Sequence, residues 1–99
     1  MLFSVSMFPI GEGDELSHPV AEVIAEFDRA GLSYQVSAMD TVLEGEWDEV
    51  MPVVRRAYER LTEANDRAYL SIVVDEHKGG QERLTGAVED IHRELAHTA

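Results

Sequence analysis

Stretches that alternate apolar and polar residues interchange along this chain with stretches that repeat at helical spacing, and their order leaves few ways to fold. Phe3, Val5 and Met7 share one face of the opening segment while Ser4 and Ser6 share the other, the period of a strand. Pro9 ends it, and Pro9 to Leu16, with Gly11, Gly13 and Asp14, reads as a loop. Val20, Val23, Ile24 and Phe27 follow at i, i+3, i+4 and i+7, an amphipathic helix with Ser17 as its expected N-cap and Gly31 as its stop. Leu32 to Ala38 alternates again, and Thr41 to Gly45 is a second short strand, so the pair predicts a tight hairpin with Met39 and Asp40 at its tip. Val50, Val53, Val54, Ala57 and Leu61 mark the next helix, with Asp48 as cap, Trp47 as staple and Pro52 expected close to its start. Ala68 to Asp75 is a fourth strand, and Leu84, Val88, Ile91 and Leu95 mark a last helix.

This order is strand, helix, strand, strand, helix, strand, plus one helix. Two split strand–helix–strand units of this kind make a ferredoxin-like α+β sandwich: one antiparallel sheet, strand order 4-1-3-2, with helices on one face. The 99 residues hold one core of this size, so residues 1–99 are read as a single domain. The other sheet face would carry Ser4, Ser6, Gln35, Ser37 and Ser71. Side chains this small permit a second sheet to approach to about 10 Å, which predicts a homo-oligomer. A wetted face, or one covered by the C-terminal helix, is the alternative.

Composition removes several function classes. Twenty acidic against eight basic residues give a net charge of −12, a field that repels nucleic-acid backbones and anionic lipid. No apolar run approaches the roughly 20 residues of a membrane helix. The N-terminus lacks the basic flank and cleavage site of a signal peptide, and with no cysteine there is no disulfide or thiolate site, so a cytoplasmic location is expected. His18, His77, His92 and His97 are not at metal-ligand spacing, and no nucleophile-elbow motif is present. The sequence therefore predicts no metal, no cofactor and no catalytic residue.

The topology brings the exit of the first strand, the start of the first helix and the hairpin tip to one end. Gly11 and Gly13, read as points of close backbone approach, and the acids Glu12, Asp14, Glu15 and Asp40 gather there. Those carboxylates would repel a phosphate and suit a cation or an amino-bearing ring. Glu44 breaks an apolar strand and needs a partner if it points inward.

The stretches Met7-Phe8-Pro9-Ile10-Gly11-Glu12-Gly13 and Met39-Asp40-Thr41-Val42-Leu43-Glu44-Gly45-Glu46, with Ala30-Gly31-Leu32-Ser33-Tyr34 between them, resemble the small thiamine-binding protein family. The resemblance runs in the same element order to about residue 95. It implies a subunit of dimers and tetramers that binds thiamine or its hydroxymethylpyrimidine moiety without catalysis, in vitamin salvage or transport. Carried onto this chain, it implies a pocket in which Gly11 and Gly13 shape the loop and Ser17 offers hydroxyl and helix N–H contacts. Met39 would pack on the ring, Thr41 would hydrogen-bond, and Glu44 would take the amino group. Glu12, Glu15 and Asp40 depart from the family pattern and add charge around that pocket. A small ferredoxin-like enzyme, of the cofactor-free monooxygenase or isomerase type, and a purely structural oligomeric unit are the competing readings.

Overall fold

The computed structural model of the chain describes residues 1–11, 13, 16–78 and 82–98. Its elements are β1 (Leu2–Pro9), α1 (Ser17–Arg29), β2 (Ser33–Val36), β3 (Thr41–Glu44), α2 (Trp47–Ala64), β4 (Ala68–Asp75) and α3 (Arg83–Thr98). The strands form one sheet in the order β2-β3-β1-β4, every neighbouring pair antiparallel. This is the ferredoxin-like α+β arrangement expected from the sequence.

Alternation sorts the two faces. Phe3, Val5, Met7 and Leu43 are buried and meet Val23 and Phe27 of α1 and Val50, Val53, Val54, Ala57 and Leu61 of α2. Every position expected in the α2 stripe is thus in the core. Glu26 is buried on α1, and one of its oxygens, Oε1, accepts at 2.7 Å from both Arg29 and Arg60, tying α1 to α2. Those guanidinium groups hold its carboxyl below the ordinary glutamate range, Arg60 contributing most, against the opposing effect of burial.

Helix and turn boundaries depart from expectation in four places. Leu16, not Ser17, precedes α1, and Ser17 is its first helical residue. Glu46, not Asp48, caps α2: its side chain accepts from the Glu49 backbone, while the Glu49 side chain accepts from the Glu46 N–H at 3.0 Å. Pro52 lies inside α2, so the proline does not mark the helix start; the capping box does. The hairpin is also blunter than the alternation implies. β2 ends at Val36, and Ser37 N–H donates to the Asp40 carbonyl at 2.9 Å, closing a tip of residues 37–40.

The outer sheet face has Ser4, Ser6 and Ser71 half-buried and Gln35 exposed. α3 packs against β3 and β2 there, so the C-terminal helix covers part of this face. Glu44 anchors it. Alternating with buried Leu43, its carboxylate accepts from the N–H groups of Arg83 (2.6 Å) and Leu84 (3.2 Å) at the start of α3.

Candidate functional site

The register leaves a gap at one end of the sheet. β1 pairs with β4 along its whole length, from Leu2 to Pro9, but with β3 only from Leu2 to Val5. Beyond Val5 the hairpin turns away, and a cavity of about 310 Å³ opens between the β1 edge, the hairpin tip and α1. That volume lies at the low end of the roughly 300–1,000 Å³ that small-molecule sites occupy. The helix side is apolar, formed by Leu16, Val20, Val23, Ile24 and Phe27. The hairpin side contributes Val36, Ser37, Ala38, Met39, Asp40 and Thr41. The exit of β1 and the hairpin tip are therefore neighbours, as the topology requires.

Two of the expected site residues line this cavity. Thr41 is buried in its wall, and Met39 is 87% exposed at its mouth. Gly11 and Gly13 lie in the loop after β1 with φ of +90° and +88°, outside the lining. A Cβ at either would meet nothing within 4 Å among the described residues, and both glycines supply the left-handed backbone of this loop. Ser17 is exposed at the start of α1 and does not line the cavity. Glu44 is placed apart from Met39 and Thr41. It pairs with Leu2 and Ser33 at the far end of β3, where it caps α3, so within the chain it cannot reach a ligand held beside Met39. Glu12, Asp14 and Glu15 lie outside the described residues.

The acid that does line the cavity is Asp40. Ser37 donates to its Oδ1 at 2.6 Å and Ser4 donates to its Oδ2. These hydroxyls, Ser37 first, hold its carboxyl below the ordinary aspartate range in spite of partial burial, so it is anionic at neutral pH. The sequence placed Asp40 at the hairpin tip among the acids of this end and marked it as a departure from the family pattern. Its fixation by Ser4, remote in sequence, had no such signal. Among the described residues no three His, Cys, Asp or Glu side chains gather as a metal site. No described helix is long and apolar enough to cross a membrane.

Fold and site together define a ferredoxin-like α+β domain with a small polar-rimmed cavity at one sheet end. Residues 3–92 match the family described as thiamine-binding protein, and the chain belongs to that family. A UPF0045 protein of Mycobacterium tuberculosis is 36% identical over 96 residues, covering 96% of this chain and 94% of that one. The crystal structure of a Methanocaldococcus jannaschii protein superposes with a TM-score of 0.85 at 30% identity, covering 92% of this chain and 94% of that chain. A Thermotoga maritima candidate thiamine biosynthesis/salvage protein shares the fold, with a TM-score of 0.77 at 24% identity over 89% of this chain and 95% of that one.

Proposed function

We propose that the protein is a non-catalytic binder of thiamine or its hydroxymethylpyrimidine moiety, acting in vitamin salvage or transport in the cytoplasm. Membership of the thiamine-binding protein family supports the ligand class. The observation that carries the site is the cavity at the hairpin tip, whose apolar helix wall faces a hairpin side that includes Thr41 and Asp40, with the Asp40 carboxylate fixed beside it by Ser4 and Ser37. An apolar wall takes the face of a ring, and a carboxylate takes an amino group or offsets a ring cation. Thr41 adds a hydroxyl in the wall and Met39 an exposed thioether at the mouth.

Isothermal titration of the folded protein with thiamine and with hydroxymethylpyrimidine tests this. Saturable binding of either at one site per chain is expected. No heat with either at millimolar concentration would discard both ligands.

We further propose that the working form is a homo-oligomer. Val88, Ile91 and Leu95 form a stripe along α3 that is 44%, 59% and 57% exposed, and Val73 on the outer face of β4 is 64% exposed. Apolar surface so arranged suits burial against a second copy.

A further inference from the structure

The cavity has a wall of main chain whose polar groups have a definite direction. Along a strand, the N–H and C=O of one residue point to the same side, and the side alternates residue by residue. Two bonds fix the phase in β1. The Met1 carbonyl accepts from Gly45 N–H at 3.1 Å, on the β3 side, and Ile10 N–H donates to the Arg67 carbonyl at 2.9 Å, on the β4 side. Odd-numbered residues of β1 therefore address β3, and even-numbered ones address β4. Phe3 and Val5 have Leu43 and Thr41 opposite them, and Thr41 is the last β3 partner. Met7 is next on that edge. It lines the cavity, and no β3 residue stands opposite it.

The Met7 N–H and C=O thus form a donor and an acceptor side by side, aimed into the cavity where a longer β3 would have paired. They are held rigidly: Met7 pairs with Leu70 of β4 on its other side, and its side chain is 4% exposed in the core. Buried main-chain groups without a strand partner need another one. The matching ligand edge is flat and carries an acceptor nitrogen next to an amino donor, the pattern of an aminopyrimidine.

We propose that the Met7 main chain is the recognition edge of this cavity, its N–H donating to a ring nitrogen and its C=O accepting from the adjacent amino group of an aminopyrimidine. This is strand addition reduced to one residue pair. It rests on the reading of the cavity as the ligand site and names the atoms that choose the ligand. It also assigns the amino group to main chain, where the family resemblance implied Glu44.

The test is hydrogen exchange and chemical shift of the uniformly ¹⁵N-labelled protein, Met7 being assigned through Met7→Leu. In the free protein the Met7 amide should exchange at least about tenfold faster than that of Val5, which has a β3 partner. Saturation with hydroxymethylpyrimidine should move the Met7 amide downfield and slow its exchange about tenfold. An analogue with methyl in place of the amino group should bind about tenfold more weakly, the loss of one hydrogen bond. A Met7 amide as protected as Val5 in the free protein overturns the proposal, as does equal binding of the methyl analogue. Cavity resonances that shift around an unmoved Met7 amide remove this proposal alone. If no cavity resonance moves with thiamine or hydroxymethylpyrimidine, the ligand reading fails and takes this proposal with it.

Discussion

Asp40 shows how one residue can be poised by neighbours that are distant in sequence. Ser37 reaches it from within the hairpin tip, and Ser4 reaches it from the neighbouring strand β1. Replacing it with Asn keeps the size and removes the charge. On the proposed function, Asp40→Asn should weaken thiamine, a cation, by roughly tenfold and neutral hydroxymethylpyrimidine by less, as titration of both ligands would show. Equal losses would mean that the carboxylate does not sense ligand charge. The pH dependence has a fixed sign. A carboxyl whose folded pKa lies below its ordinary value contributes stability that is complete above the ordinary value and lost as pH falls through the folded one. Asp40 and Glu26 both belong to this case. Denaturant titrations should therefore show stability falling below the ordinary carboxylate range. Glu26→Gln should lower stability at neutral pH by about 1–2 kcal/mol and flatten that acid loss, because Arg29 and Arg60 then share a neutral acceptor.

At the scale of the elements, α3 is capped at its start and open along its second half. No residue of α3 is buried, and every residue from Ile91 to Thr98 is exposed. Its first-turn N–H groups meet the Glu44 carboxylate, a cap supplied from another strand. Removing a cap costs about 1 kcal/mol. Glu44→Ala should therefore speed amide exchange in residues 83–98 by several-fold and leave the β1–β4 ladder protected. Loss of protection in both would show that α3 and the body unfold together. The same variant should leave thiamine affinity unchanged, since Glu44 lies at the opposite end of β3 from the cavity.

At the scale of the whole molecule, the chain is extended for its size. Its radius of gyration is 15.2 Å and its extents are 49 × 32 × 20 Å, where a compact chain of about 100 residues has a radius near 13 Å. The exposed stripe of Val88, Ile91 and Leu95 is the surface that the proposed assembly would bury. Sedimentation velocity at micromolar concentration should give a species of dimer size or larger. The double substitution Ile91→Asp and Leu95→Asp should shift it to monomer while the circular dichroism of the body is kept. A wild-type chain that sediments only as monomer would remove the assembly.

The amino-acid sequence by itself determined the elements and the pairing plan. Apolar periods of 2.0 and 3.6 residues are local properties, and right-handed crossovers leave one strand order for them. The core stripe of α2 was legible residue by residue for that reason, and so was the meeting of the β1 exit with the hairpin tip. Helix starts were less so: Glu46 and Leu16 precede the helices, because a cap depends on backbone angles and on which side chain can turn back. Only the tertiary structure decided the contents of the cavity. Whether Glu44 faces a ligand or a helix follows from where β3 stops against β1 and where α3 comes to rest. Those are long-range outcomes of packing, and no local period in the sequence encodes them.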